Sequence, residues 1–237
     1  MYEFNELDVL FDSQTIKPNF QYVHVFLSIL LYGENPEGLG RYRLESELLI
    51  GSGTAKSLVK RLKENGNYIR IFEQVRREKK ELRRKGHVLT EKGLLLLTKI
   101  KKNIPILKET QTDFLKEIII DSSENFSFFC LIKNAGEHLV DGIAQRDAAI
   151  MIGGSGATCL LYDGIKIIFP EYYELTEINE TISINQEIQT YFKTKIFNSN
   201  VILEKGDVII IALGNELKKA RLAALNAALS LIIKKKI

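Results

Sequence analysis

The sequence predicts a mixed α+β chain of two domains, residues 1–104 and 105–237, and three observations carry that prediction. Two short helical stretches flank the turn Gly51-Ser52-Gly53. A strongly basic run, VRREKKELRRKG (75–86), lies between two strand-like segments. Beyond Ile104-Pro105 the pattern changes to apolar strand-like runs interleaved with helices, the signature of a small α+β domain. A chain of 237 residues with 45% apolar content can build two modest cores.

The elements follow in order. In QYVHVFLSILLY (21–32), Val23, Phe26, Leu27, Leu30 and Leu31 recur at helical spacing and define one face of an amphipathic helix. Gly33 to Pro36 break it, and RYRLESELL (41–49) reads as a short second helix. The glycines at 51 and 53 suit the left-handed backbone of a sharp turn. A third helix then runs to Asn65, capped by Ser52 or Thr54 and stopped by Gly66. On it Ala55, Leu58, Val59 and Leu62 share one side, with Ser57, Lys60, Arg61 and Glu64 opposite. Helices joined by such a turn are the helix-turn-helix arrangement, whose last helix enters the DNA major groove. An ordinary surface helix would show a similar polar face, because Lys and Arg are common on exposed helices.

Lys56-Ser57 could also end a phosphate-binding loop of the form G-x-x-x-x-G-K-[ST], but Ile50 and Ala55 occupy the two glycine positions. A nucleotide site is therefore not predicted here. NYIRIF (67–72) and HVL (87–89) read as strands of a hairpin whose tip is rimmed by Arg76, Arg77, Lys79, Lys80, Arg83, Arg84 and Lys85. Thr90 caps a following helix packed through leucines 94 to 97. Charge supports the same region: residues 51–102 hold 16 basic and 5 acidic side chains, a net +11 within a chain of net +3. Such a concentration is the electrostatic footprint of a protein that meets phosphate backbone.

This order, with GRYRLESELLIGSGTAKSLVKRLKENG followed by RRKGHVLTEKG, resembles winged-helix transcription regulators over residues 20–102. More narrowly, it resembles a group of archaeal winged-helix proteins whose C-terminal half is a domain of unknown function. The resemblance implies a winged helix-turn-helix domain binding double-stranded DNA through Ser52, Thr54, Lys56, Ser57, Lys60 and Arg61 and through the basic wing. The wing is long, and a helical alternative for Val75–Leu82 stays open.

In the second domain, 125–132, 157–162, 165–169 and 207–213 read as strands, with Asp163-Gly164 joining the middle pair as a hairpin. Helices are predicted at 142–152, 185–196 and 216–233. RDAAIMIGGSGAT (146–158) places glycines after a helix, where the dipole repels anions, so Gly153 and Gly154 read as a C-cap. The alternative is an effector pocket in which Arg146, Ser155 and Thr158 hold a small polar molecule; Arg146 and Asp147 could instead form an ion pair. From Leu222 to Ile233 only Asn226 and Ser230 interrupt apolar residues. A helix apolar nearly all round needs a second covering surface. Either a partner subunit supplies it, giving a homodimer, or the 185–196 helix does so within the chain.

Cys130 and Cys159 lie in apolar runs and read as free packed thiols. No cofactor, metal site, signal segment or membrane span is predicted, and a soluble cytoplasmic protein is expected. The expectation is a homodimeric DNA-binding regulator without enzymatic activity. A protein-docking or RNA-binding module is the competing reading, and an enzyme seated in the second domain is a more distant one.

Overall fold

Apolar residues at Phe4, Leu7, Leu10 and Phe20 explain why the first long helix has no exposed face. In the computed structural model, which describes residues 4–13, 17–75, 82–119, 126–170 and 183–233 and side chains other than those of 73–75 and 82–85, α1 (Tyr22–Glu34) is buried from Val23 to Tyr32. One face was expected to be buried. The rest is covered in part by the N-terminal segment, whose 3-10 turn Asn5–Leu10 buries Leu7 and Leu10. Phe4 packs edge-on against Phe26 at 4.8 Å.

The chain divides into a unit spanning Glu3–Ile100 and a second that runs on from Lys101. In the first, α2 (Arg41–Leu48) ends at Leu49, which itself adopts the left-handed conformation at φ 53°. That corrects the sequence expectation for the turn. Gly51 has φ −68° and Gly53 already belongs to α3 (Ser52–Glu64), so the costly backbone conformation falls on a leucine. The N-cap is Gly51 without a side-chain hydrogen bond, so neither Ser52 nor Thr54 caps the helix. Ala55, Leu58, Val59 and Leu62 are buried as expected from their spacing.

The hairpin strands β1 (Ile69–Val75) and β2 (Leu82–Leu89) are longer than the sequence suggests. They pair antiparallel with an irregularity between Ile71 and Glu73. Leu39 adds a third strand-like passage, exchanging two backbone hydrogen bonds of 2.9 Å with His87. This approach requires Gly86: a Cβ there would stand 2.4 Å from the Leu39 carbonyl oxygen. In α4 (Glu91–Asn103) the first turn is capped by Thr90, whose Oγ1 accepts the Gly93 amide at 3.1 Å.

The second unit carries an antiparallel sheet ordered β3-β4-β7-β5-β6, from β3 (Ile106–Glu109), β4 (Phe126–Ile132), β5 (Gly156–Tyr162), β6 (Ile167–Ile168) and β7 (Val208–Gly214). Strand alternation sends Phe129 and Leu131, with Ile209, Ile211 and Leu213, to one face. There they form a core with Ile188, Phe192 and Ile196 of α6 (Gln186–Phe197). The opposite face is covered by α5 (Ile143–Met151) and α7 (Leu217–Ile232), which also pack on each other. Cys130 and Cys159 both stand opposite Ile210, on the two strands flanking β7. Two strand spacings, about 10 Å, separate them, beyond the reach of a disulfide.

At one end of β7, buried Asp207 accepts Lys133 Nζ at 2.7 Å and the amides of Asn134 and Glu204 at 3.0 and 2.8 Å. Burial disfavours the Lys133 charge, but hydrogen bonds to Asp207 and Glu204 outweigh it and raise the lysine pKa. Among the described residues no helix is long and apolar enough to cross a membrane.

Two sequence expectations about α7 and its surroundings are settled by packing. Leu222 to Leu225 and Ala227 to Leu229 are buried within the single chain, so α7 does not need a partner subunit to cover it. Its second surface is α5, and not the 185–196 helix. The polar stripe faces α5: Gln145 Nε2 donates to Ser230 Oγ at 3.0 Å, and Asn226 Nδ2 donates to the Ala148 carbonyl at 2.7 Å.

Candidate nucleic-acid interface

Helix α3 is amphipathic because its four apolar residues share one side, and burying them turns Ser52, Lys56 and Lys60 to solvent. Thr54 and Ser57 are half-buried at the edges of that face. With no side chain capping it, the N-terminal turn leaves its amides open, and the positive end of the helix dipole favours an anion there. The glycines add access: a Cβ at Gly51 or Gly53 would meet nothing within 4 Å.

Lys60 lies 3.9 Å from Glu64 with side chains 70% and 49% exposed, and Lys63 lies 3.3 Å from the same carboxylate. Such solvated pairs hold a cation weakly and release it easily. Arg61 is placed differently. Its Nη1 donates to the carbonyls of Leu10 at 2.9 Å and Asp12 at 2.7 Å, so this guanidinium ties the N-terminal segment to α3. It is thereby set apart from Ser52, Lys56, Ser57 and Lys60, with which the sequence grouped it.

In the hairpin, Arg84 stands opposite Glu73 and Arg83 opposite Gln74 within the paired strands, and Lys85 follows on β2. These three are strand residues, not residues of the hairpin tip. Val75 and Leu82 are themselves strand, which removes the helical alternative at both of its ends. Arg76, Arg77, Lys79 and Lys80 lie outside the described residues. On β2 itself, His87 is held below the ordinary histidine range by burial and by the nearby charge of Lys63. One further exposed feature was not predicted: Arg41 sits 5.0 Å above the ring of Tyr42, which is 76% exposed at the start of α2. An arginine next to an aromatic residue on a short polar helix was its only sequence signal.

The second glycine segment is structural. Gly154 donates to the Ala149 carbonyl at 3.0 Å and Gly153 to that of Ile150 at 2.9 Å, with Gly153 left-handed at φ 92°. These paired bonds are the Schellman closure of α5. Arg146 pairs with Asp147 at 2.9 Å, and the Ser155 amide bonds to the Leu213 carbonyl at 2.9 Å. Thr158 shares the sheet face of Leu160, toward α6, whereas α5 and its Arg146 cover the other face.

Residues 123–231 match a family model described as Domain of unknown function (DUF4443). A hypothetical protein from Pyrococcus horikoshii OT3 has a similar structure, with a TM-score of 0.64 and 24% identity over 90% of this chain and 93% of that one. At that identity the likeness is one of fold. Comparison with curated proteins finds no match.

Proposed function

We propose that the protein is a DNA-binding regulator whose N-terminal unit acts as a winged helix on duplex DNA. The observation that carries this reading is α3. Its exposed Lys56 and Lys60 and its open N-terminal turn project from a helix that follows a tight turn and precedes a basic hairpin. A B-form major groove admits a helix, whereas the deep, narrow major groove of A-form RNA does not. Lysines supply phosphate affinity, and Ser52, Thr54 and Ser57 are the candidates for base edges. The hairpin arginines add sequence-independent contacts.

The proposal assigns no catalytic step to the chain. Its second part is a homodimer formed through the C-terminal unit, so that two α3 helices address two half-sites. Titrating the protein into labelled duplex DNA, with single-stranded and A-form RNA as competitors, tests the reading. Duplex DNA is expected to be preferred, and preference for either RNA overturns it.

A further inference from the structure

We infer that the outer face of α5 is a twofold interface with a second copy of this chain. The inference rests on the homodimer proposed above and names its surface, which is not the α7 surface that the sequence suggested.

The helix has two different sides. Gln145 and Ala149 are buried toward α7, while Ile143, Ile150 and Met151 are 38%, 50% and 68% exposed. Val140, just before the helix, is 76% exposed. At 100° per residue, Ile143, Asp147 and Ile150 fall within one narrow arc. Single exposed apolar side chains are normal, but an apolar stripe on one helix face marks an interaction surface.

Charge identifies the occupant. Arg146 and Asp147 interrupt the stripe at its middle, with side chains 43% and 55% exposed. A twofold axis passing between them sets Ile143 of one copy against Ile150 of the other, and Arg146 against Asp147 in both directions. The face is thus complementary to itself in apolar residues and in charge, the requirement of an isologous contact. An unrelated partner would need to match a cation and an anion on adjacent residues.

Nine residues make a helix about 13 Å long, so this contact is small beside the roughly 1,600 Å² of a standard interface. Association is weak alone and strengthened when DNA holds both copies.

Sedimentation equilibrium of the full chain tests this. Wild type is expected to shift from monomer toward dimer across the micromolar range. Arg146→Asp and Asp147→Arg should each abolish the shift while keeping the wild-type circular dichroism. An equimolar mixture of the two variants should restore association, because each copy then offers the charge that the other lacks; a merely structural ion pair predicts no such rescue. A wild type that stays monomeric to about 200 µM, variants that dimerise like wild type, or a mixture that stays monomeric overturns the inference. DNA binding by a persistent monomer removes the α5 interface alone, and an intact α5 dimer without DNA affinity removes the reading of the N-terminal unit alone.

Discussion

Arg61 on α3 donates its Nη1 to the backbone carbonyl of Leu10 at 2.9 Å, joining residues 51 positions apart in the chain. A second bond from the same nitrogen reaches the Asp12 carbonyl at 2.7 Å. The arginine thus fixes the N-terminal segment across the helix proposed to meet DNA. Arg61→Ala is expected to lower unfolding stability by about 1 kcal/mol, the value of charge-assisted bonds discounted because one of them is exposed. It should leave the ranking of DNA sequences unchanged. Thermal unfolding and duplex competition check the two halves; an unchanged melting temperature with an altered sequence ranking would reverse the assignment.

Acid should destabilise the protein through His24. Burial pushes its imidazole down to about 4 from 6.5, and Nδ1 accepts the Gln21 amide at 2.9 Å, so that nitrogen carries no proton. Between pH 6.5 and 4 the unfolded chain takes up a proton that the folded chain refuses. Stability is therefore complete above pH 6.5 and falls as pH drops through this window, by roughly 3 kcal/mol at most. Denaturant unfolding at pH 7, 5 and 4 measures the slope. His24→Gln should flatten it, and a slope unaffected by the substitution would assign the effect to other groups.

The same N-terminal region marks the limit of what the sequence made legible. Helical spacing located α1, α3 and α7, and Gly153 after a helical run announced its cap. Periodicity reports that a face is apolar, though, and not what covers it. That is why α7 suggested a partner subunit when α5 of the same chain lies against it. Polarity likewise turned Arg61 outward, with nothing in FNELDVLF to say that this segment returns across the helix. Leu49 was missed because a leucine at φ 53° contradicts its own preference, and β3 because four residues are too few for a pattern. At the candidate site, the helical wheel placed Lys60 and Ser57 on the polar side, where Lys60 is exposed and Ser57 half-buried, whereas Lys56 came only with the resemblance. The length of the hairpin strands was not, since LRRK carries no apolar alternation.

The two cap glycines should respond differently to alanine. A Cβ at Gly154 would stand 2.5 Å from that of Ala223 and 2.9 Å from the Ala149 carbonyl oxygen, so α5 and α7 would have to separate. Gly154→Ala is expected to cost at least about 2 kcal/mol, the range of overpacked cores. At Gly153 the space is open and only the left-handed backbone opposes a side chain, at about 1 kcal/mol. Urea midpoints of the two variants give the comparison. Equal losses would mean that small shifts of Ala223 and its neighbours relieve the close approach at Gly154.

Charges placed on α7 should unfold the C-terminal unit whichever side they enter. Ala224, Leu225 and Ala228 are 0% exposed and Leu229 is 4% exposed within the single chain. Ala224→Glu, Leu225→Glu, Ala228→Glu and Leu229→Glu each bury an unpaired carboxylate, at a cost of several kcal/mol. Circular dichroism should register lost structure for all four. A variant that stayed folded but became monomeric would return the dimer interface to α7.

The strongest test of the proposed function is the salt dependence of DNA binding. Each phosphate neutralised by a lysine or arginine releases counterions, so the logarithm of the binding constant should fall linearly with the logarithm of salt concentration, with a slope near −0.9 per contact. Lys56 and Lys60 are exposed on α3, and Arg83 and Arg84 lie on β2. Lys56→Ala and Lys60→Ala should each make the slope shallower by about 1, and the Arg83→Ala, Arg84→Ala double variant by about 2, with equal loss on every sequence. Ser57→Ala should keep the slope and change preference among sequences, because a hydroxyl at the edge of the helix contributes no charge. The two signatures are independent. Steep wild-type slopes with an inert Ser57 would leave α3 touching phosphate only, while a flat slope, or no binding at low salt, would end the DNA reading and leave the basic hairpin to another acidic partner.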